Sequence, residues 1–209
     1  SRRGGAFSRR RLRSTGGLAG FFDYGPMGAV MLRRIQQAWL DYWTKNEGFF
    51  LVDTPTVGPE AVFRASGHLE KFADPVVECK ACGTVSRADQ VFQVLPTPGV
   101  TPEQIRQGAD ALMKVACPNC GSKDLTVPRP VNLMLETRLG AVKPTTAYLR
   151  PETAQGIFWN FPALLRHNRG RVPFGVAQLG LGYRNEIAPR NALFRMREFH
   201  MAEVEVFLD

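Results

Sequence analysis

Two Cys-x-x-Cys pairs constrain this sequence more than any other feature. The four cysteines of the chain are Cys79, Cys82, Cys117 and Cys120, and a glycine follows each pair. A pair at this spacing places two thiolates on one tight turn, and two such turns supply the four soft ligands of a closed tetrahedral zinc site. Because a four-cysteine site is coordinatively full, we expect a structural zinc ion. The alternative is a set of four free thiols in a site that has lost its metal.

The segment that carries the cysteines is predicted to be an insert running from about residue 78 to 126. Its middle, from Pro96 to Lys114, has the pattern of a proline-rich turn followed by a helix. That helix would fill a gap between the cysteine pairs that is longer than in a usual zinc ribbon. Paired cysteines in a chain of this length favour a metal over a secreted disulfide framework, and they indicate a reducing, cytoplasmic compartment.

The charge of the chain favours polyanionic partners. The 27 basic and 19 acidic residues leave a formal net charge of +8, and a basic arm at residues 1–15 carries many of the arginines. Such a surplus is typical of proteins that bind nucleic acid or nucleotides, although a merely solvated basic surface gives the same count. No apolar run approaches the roughly 20 residues that span a bilayer, so we expect no association with a membrane.

A long amphipathic helix is predicted from about Gly28 to Asn46. It is expected to end at Gly48, because glycine commonly terminates a helix. The apolar residues that recur at helical spacing on one face are Leu32, Ile35, Trp39 and Tyr42.

Strands are predicted among the helices at hairpin-like spacing. They are expected at 49–53, 176–184 and 194–208, and a second helix is expected from Pro151 to His167. This arrangement indicates an α+β fold in which helices flank an antiparallel sheet. The main domain is expected to comprise residues 16–77 and 127–209, with the insert between them.

The strand predicted at 194–208 carries an ordered row of functional groups. Two cations, an aromatic ring and two acids along one face can hold a phosphate, a flat base and an ammonium group in turn. Arg184 and Glu186 should likewise share a face of the preceding strand. Alternating charge of this kind is also shown by a solvated strand with surface ion pairs. The side chains expected on one face of the strand are Arg195, Arg197, Phe199, Met201, Glu203 and Glu205.

The segment 184–199 resembles motif 2 of the class II aminoacyl-tRNA synthetases. It contains Arg-Asn-Glu-Ile-Ala-Pro-Arg and, three residues later, Phe-Arg-Met-Arg-Glu-Phe. The predicted helix from Gly28 and the strand that follows it resemble motif 1, which forms the dimer interface of that class. Further segments are similar, in the same order, to those of homodimeric glycyl-tRNA synthetases: Asp-Tyr-Gly-Pro at 23–26, Ala-Ser-Gly-His at 65–68, Arg-Pro-Val-Asn-Leu-Met at 129–134, Leu-Arg-Pro-Glu-Thr-Ala-Gln-Gly at 149–156 and Met-Ala-Glu at 201–203.

The resemblance implies the fold, the reaction and the partners of that family. The fold would be a class II synthetase-type antiparallel sheet with a zinc-knuckle-like insert, and the protein would be a homodimer. The reaction would activate glycine with ATP and Mg²⁺ to glycyl-adenylate and then transfer glycine to tRNA(Gly). The chain ends at Asp209, before the third motif of the family, so we expect a fragment with an incomplete active site. The alternative is a non-catalytic, synthetase-like module that binds nucleic acid.

The resemblance also assigns the nucleotide-binding residues. Arg184 would clamp the α-phosphate and stabilise the charge that develops there, and Glu186 would position the nucleotide or the acceptor end of the tRNA. These two residues are the expected catalytic pair, and Phe199 would stack on the adenine ring. The remaining positions that match ATP contacts of the family are Asn185, Arg195 and Met196.

Three residues match glycine-binding positions of the family, namely Glu152, Glu203 and Arg87. Glycine has no side chain to hold, so acids that bind its ammonium group and a pocket too small for a methyl group must provide recognition. Arg87 follows Ser86, where the family usually has histidine. His68 is expected to fix its loop through hydrogen bonds rather than to act as a catalytic base.

Overall fold

The computed structural model describes residues 8–10, 18–88, 91, 115–187, 189 and 192–209. The helix predicted within 96–114 and most of the basic arm lie outside these residues. The strands are β1 (Ser8–Arg10), β2 (Phe22–Tyr24), β3 (Phe50–Leu51), β4 (Val57–Pro59), β5 (Ala73–Glu78), β6 (Val85–Arg87), β7 (Arg129–Asn132), β8 (Leu135–Leu139), β9 (Thr145–Leu149), β10 (Phe174–Tyr183) and β11 (Glu198–Phe207). The helices are α1 (Pro26–Asp41), α2 (Glu60–Ala65), α3 (His68–Lys71) and α4 (Ala154–His167).

The chain divides into two compact units. The first comprises residues 1–68, 134–185 and 189–209, and the second comprises 69–133 and 186–188. None of the helices among the described residues is long and apolar enough to cross a membrane.

The long predicted helix is confirmed, and it begins two residues earlier than expected. Pro26 occupies the first turn of α1, where the missing N–H of proline costs little. A π-helical turn at Tyr42–Asn46 extends the helix, and Gly48 ends it with a φ of +69°. The predicted apolar face is only partly covered within this unit, because Ile35 is 58% exposed and Tyr42 is 49% exposed.

The central sheet of the first unit has the strand order β11-β10-β3. β11 pairs with β10 in antiparallel register along its whole length, from Phe174 opposite Phe207 to Tyr183 opposite Glu198. β3 pairs with the other edge of β10 in parallel. This pairing departs from the purely antiparallel expectation. A long stretch of chain separates β3 from β10, so the two strands can run in the same direction.

Helix α4 covers one face of this sheet and forms the core of the first unit. Ile157 is fully buried against Phe174 and Val176. The ring of Phe161 stacks on Phe174 at a centroid distance of 6.2 Å and packs on Phe207 at 4.6 Å. Each such buried side chain contributes roughly 1.5–3 kcal/mol relative to an exposed one. The core therefore fixes the position of α4, and of the residues that precede it, relative to β10 and β11.

The sequence predicted that this helix begins at Pro151, but α4 begins at Ala154. The residues before the helix are held in other contacts. The backbone N–H of Arg150 donates to Thr56 O at 2.9 Å, and the backbone N–H of Thr153 donates to Glu203. These bonds keep residues 151–153 in a bend outside the helix.

A second sheet of the first unit has the order β4-β9-β8, and both pairs are antiparallel. β9 ends at Leu149, so this sheet leads directly into Arg150 and the bend before α4. The second unit contains a third sheet of order β6-β5-β7, also antiparallel. Its small core is Val77 and Ala88, with Val91 and Val115 packed against them. This unit includes all four cysteines.

Candidate functional site

One face of the β10–β11 pair, here called the site face, carries four of the candidate residues of the first unit. The site face consists of four residues of β11 and the four residues of β10 directly opposite them. The pairs are Phe199 with Gly182, Met201 with Gly180, Glu203 with Gln178 and Glu205 with Val176. The strand prediction is therefore confirmed for the segment from Phe199 to Glu205.

Two glycines of the site face let other groups approach β10 closely. A Cβ atom on Gly182 would lie 2.7 Å from the sulfur of Met201 and 2.9 Å from the Phe199 ring. A Cβ atom on Gly180 would lie 2.1 Å from the guanidinium of Arg150. Any larger residue at these positions would displace the groups that line the face.

Arg184 follows β10 and extends over the start of the site face. Its guanidinium carbon lies 5.4 Å from the centroid of the Phe199 ring, and its Nε donates to Pro151 O at 3.3 Å. Its backbone N–H donates to Arg197 O at 3.0 Å. The arrangement places a cation over a flat aromatic ring, and these two groups suit a phosphate and a planar base.

The expectation that Arg184 and Glu186 share a strand face is wrong, because β10 ends at Tyr183. Arg184 pairs through its backbone with Arg197, and the chain leaves the sheet there. Glu186 is buried, with 8% of its surface exposed, and it belongs to the second unit. Asn185 between them is exposed.

Arg195 and Arg197 precede β11, so the predicted row of alternating side chains starts later than expected. A 3₁₀ turn at Ala192–Phe194 precedes them, and alternation begins only at Glu198. The backbone N–H of Arg197 donates to Gly20 O at 2.7 Å, and its Nη1 donates to Ala19 O at 3.1 Å. Arg197 therefore connects this segment to the loop at 19–20. Met196 is buried, with 5% exposed, and Arg195 is half-buried.

The carboxylate of Glu203 is held by Thr153. The backbone N–H of Thr153 donates to Oε2 of Glu203 at 2.6 Å, and the Thr153 hydroxyl donates to the same oxygen. Thr153 is completely buried. These bonds bring the bend before α4 onto the site face.

The carboxylate of Glu152 has two partners in the same unit. Its Oε1 lies 3.5 Å from Nε2 of His68 and accepts a hydrogen bond from Nε2 of Gln155 at 2.5 Å. The hydrogen bond from His68 is the main reason why the pKa of Glu152 lies below its usual value. Nδ1 of His68 lies 2.9 Å from the hydroxyl of Ser66, as expected for a residue that fixes its loop. The contact with Glu152 was not predicted, because no local pattern relates such distant positions.

A third carboxylate, that of Glu205, interacts electrostatically with the carboxylates of Glu203 and Glu152. Burial raises the pKa of Glu205, and the negative charges of Glu203 and Glu152 raise it further. The acidic end of the site face therefore favours a cation, whereas the Arg184 end favours an anion.

Arg87 lies in the second unit, where its guanidinium pairs with Asp74. The side chains of Arg87 and Asp74 are only 19% and 15% exposed. The pair joins β6 to β5 within that unit.

The four cysteines converge in the second unit. The sulfurs of Cys79 and Cys120 are 3.6 Å apart, those of Cys82 and Cys117 are 3.8 Å apart, and all four lie within 4.8 Å of one another. Thiolates bound to one zinc ion at about 2.3 Å lie about 3.8 Å apart in a tetrahedron. The geometry therefore fits a tetrahedral metal site.

Hydrogen bonds favour the ionised thiolate at two of the four cysteines, whereas at Cys120 a hydrogen bond from the backbone of Ser122 is outweighed by those with Cys82 and Cys79, which raise the pKa to about 12. The hydroxyl and the backbone of Thr84 lower the pKa of Cys82 to about 6. The backbone N–H groups of Asn119 and Cys120 lower the pKa of Cys117. Within each pair a tight turn is closed by a backbone bond, from Gly83 N to Cys79 O at 2.7 Å and from Gly121 N to Cys117 O at 2.9 Å.

Comparison with known sequences finds relatives that carry the name glycine–tRNA ligase. No family model matches the chain. It is 46% identical over 199 residues to "Glycine--tRNA ligase" of Methanothrix thermoacetophila and 48% identical over 200 residues to the same-named protein of Pyrococcus furiosus. Each alignment covers 93% of this chain and 34% of the relative. The chain thus spans about a third of the length of the curated relatives it matches.

Comparison with solved structures identifies the fold. Giardia lamblia prolyl-tRNA synthetase, in complex with prolyl-adenylate, superposes with a TM-score of 0.56 at 16% identity, covering 96% of this chain and 28% of that one. A putative threonyl-tRNA synthetase from Aeropyrum pernix gives 0.54 at 15% identity, covering 95% and 30%. The sheets and flanking helices are therefore similar to those of class II synthetase structures.

Proposed function

We infer that this chain, a homologue of the glycine–tRNA ligases along nearly all of its length, forms the part of such a ligase that binds ATP and activates glycine. The single observation that supports this most strongly is the polarity of the site face. Arg184 and Phe199 lie at one end, and Glu203 lies at the other. Phe199 and Glu203 are four residues apart on one strand, which corresponds to about 13 Å. That span leaves room for a ribose and a phosphate between a stacked base and a bound amino group.

The proposed reaction has two steps. In the first, the carboxylate of glycine attacks the α-phosphorus of ATP, forming glycyl-adenylate and releasing pyrophosphate. Arg184 stabilises the charge that develops on the α-phosphate, and this acceleration is electrostatic. In the second, a hydroxyl at the 3′ end of tRNA(Gly) attacks the glycyl carbonyl, and AMP leaves. Mg²⁺ would accompany the phosphates of ATP.

Glycine is selected by two acids, Glu203 on the site face and Glu152 in the bend before α4. Glu203 and Glu152 would bind its ammonium group. Glu203 is already oriented by Thr153, and Glu152 is kept ionised by His68. The roles of Asn185, Glu186, Arg195, Met196 and Arg87 rest on the sequence resemblance.

We assign a structural Zn²⁺ to Cys79, Cys82, Cys117 and Cys120, on the sulfur–sulfur distances. When bound, the ion would link the two cysteine turns of the second unit. We place the protein in the cytoplasm, because free thiolate ligands persist in a reducing compartment.

We also propose a homodimer in which a second copy covers the exposed side of α1. Four apolar side chains on this helix are 54–58% exposed, which is unusual for so many neighbouring large residues, and they are Met27, Val30, Met31 and Ile35. This is the helix that resembles motif 1.

A second candidate function is a synthetase-like module that binds nucleic acid without catalysis, which the net charge of +8 favours. Glycine-dependent exchange of pyrophosphate into ATP separates the two functions. The assay uses the complete protein that contains this chain, with Arg184→Ala as the test variant and Arg166→Ala, at the exposed end of α4, as the control. We expect exchange that requires glycine, is reduced about 10²–10³-fold by Arg184→Ala and is unchanged in the control. Binding of tRNA without any glycine-dependent exchange would favour the second function instead.

A further inference from the structure

Thr153 lies at the start of α4 and contacts the site face. We propose that Thr153 is a positioning residue for glycine recognition, because it holds the carboxylate of Glu203 in the orientation that receives the ammonium group. The inference rests on the proposed function, in which Glu203 binds glycine. It assigns to Thr153 a role that acts through Glu203.

Both hydrogen-bond donors of Thr153 are used on one oxygen of Glu203. The backbone N–H lies 2.6 Å from Oε2, and the hydroxyl donates to the same atom. Within the described part of the chain, the hydrogen bonds of this carboxylate go to Oε2 alone. The orientation of the carboxylate is therefore set from one side, and Oε1 is left to accept from a ligand.

The hydroxyl of Thr153 does not cap α4, although the position of Thr153 at the start of the helix would predict this role. Thr153 is the N-cap residue of α4, and an N-cap threonine usually accepts a hydrogen bond from a backbone N–H of the first turn. Here the side chain makes no capping bond, and its backbone angles of φ −95° and ψ −12° lie outside the extended region typical of a cap. Helix α4 therefore lacks a stabilising side-chain cap, and the Thr153 hydroxyl donates a hydrogen bond to Glu203 instead. A purely structural threonine would be expected to cap the helix.

The remainder of the side chain fixes the direction of the hydroxyl. Its Cγ2 lies 3.0 Å from the place where a Cβ on Gly180 would be, so the methyl group packs directly against the backbone of β10. A β-branched side chain has few χ1 rotamers, and packing of the methyl group selects one of them. The bend itself is tied to the sheets by Arg150, whose Nε donates to Leu181 O at 2.8 Å.

Holding the carboxylate in place before glycine arrives should increase affinity for glycine specifically. A ligand group that is already oriented loses less conformational entropy on binding. ATP is bound through other residues, so its affinity should not depend on the Thr153 hydroxyl. A general loss of folding would affect both substrates alike.

The test compares Thr153→Val, which keeps the shape and removes the hydroxyl, with Thr153→Ser, which keeps the hydroxyl. KM values for glycine and for ATP are measured by pyrophosphate exchange on the complete protein, with thermal midpoints as a check on folding. We expect Thr153→Val to raise the KM for glycine about tenfold or more, as for loss of a hydrogen bond to a charged group. The KM for ATP should change by less than about twofold, and Thr153→Ser should restore most of the glycine affinity.

Two results would overturn the inference: an unchanged KM for glycine in Thr153→Val, or equal increases in both KM values that Thr153→Ser does not reverse. If Thr153→Val does not fold, Thr153→Ala provides the same comparison. A wild-type protein without glycine-dependent exchange would refute the proposed function as well. A wild-type protein that exchanges normally, with an unaffected valine variant, would refute this inference alone.

Discussion

The guanidinium of Arg184 lies 5.4 Å from the centroid of the Phe199 ring, at the point where β10 ends and β11 begins. Arg184 follows β10 and Phe199 lies near the start of β11, and the backbone bond from Arg184 N to Arg197 O keeps these two segments together. A phosphate held by the cation would therefore lie next to a base stacked on the ring. This arrangement makes the pair a unit for nucleotide binding, in which each residue depends on the position of the other.

Replacing Phe199 should weaken the binding of ATP more than that of glycine. Stacking of a base on an aromatic side chain contributes about 1–3 kcal/mol, so Phe199→Leu should raise the KM for ATP roughly 5–150-fold. Phe199→Tyr keeps the aromatic surface and serves as the control, with an expected change of less than about threefold. Exchange kinetics at varied ATP and varied glycine give the comparison. An equal effect of Phe199→Leu on both substrates would argue against stacking.

Arg150 should be essential for stability because its buried guanidinium donates hydrogen bonds to backbone carbonyl groups. Only 5% of its surface is exposed, and its guanidinium donates to Leu181 O at 2.8 Å and to Thr54 O at 2.7 Å. Arg150→Met would remove the donor from these partly buried carbonyl groups, and we expect a loss of about 3–5 kcal/mol in the free energy of unfolding. Urea denaturation measures the loss. Arg138→Met, on an exposed part of β8, should change stability by less than about 0.5 kcal/mol.

The segments of the candidate site could be predicted from sequence, but the contacts between them could not. Alternation along a strand correctly placed Phe199 and Glu203 on one face, because side-chain period is a local property. The contact of Thr153 with Glu203 joins positions 50 residues apart and depends on how α4 packs on the sheet. The start of β11 was predicted too early, because the 3₁₀ turn at Ala192–Phe194 has no distinctive sequence signal.

The cysteine cluster could be predicted because the geometry of each cysteine pair is local. Each pair forms its own turn, closed by a backbone bond within five residues, so spacing alone determines the local geometry. The exposure of α1 could not be predicted, since periodicity identifies an apolar face without indicating what covers it. Met27 and Ile35 on that helix remain 57% and 58% exposed.

Glu152 should make stability dependent on pH in the acidic range. Its pKa is lowered below the usual 4.5, chiefly by the hydrogen bond from His68. Because the folded-state pKa is depressed, the stabilising contribution is fully present above the unfolded-state pKa and is lost as the pH falls through the folded value. Glu152→Gln should therefore be less stable than wild type from neutral pH to about pH 5, and the difference should shrink below that.

Urea unfolding at a series of pH values measures this difference. Glu70→Gln, at an exposed position of α3, is the control and should follow the wild-type pH profile. A constant difference between Glu152→Gln and wild type at every pH would contradict the assignment.

The exposed apolar side of α1 should be covered in a homodimer. Ile35→Asp places a charge on this surface without disturbing the core of the first unit, because the side chain is 58% exposed. We expect the complete protein to have the mass of a dimer by light scattering and the Ile35→Asp variant to have the mass of a monomer. Val142→Asp, at a position that is 90% exposed, should remain dimeric. A monomeric wild-type protein at high concentration would refute the proposed interface.

One zinc ion per chain should be present in protein that has not been treated with chelator. The sulfur–sulfur distances of 3.6 and 3.8 Å match the edges of a zinc tetrahedron. Cys79→Ser should reduce the zinc content well below one per chain and lower the thermal midpoint, because binding energy at a structural site is folding energy. Lys80 is next to Cys79 but lies on the surface, so Lys80→Ala should keep the zinc content and the thermal midpoint of the wild-type protein. Wild-type protein with well under one zinc per chain would refute the site, and zinc loss without any change in the thermal midpoint would mean that the ion binds without stabilising the fold.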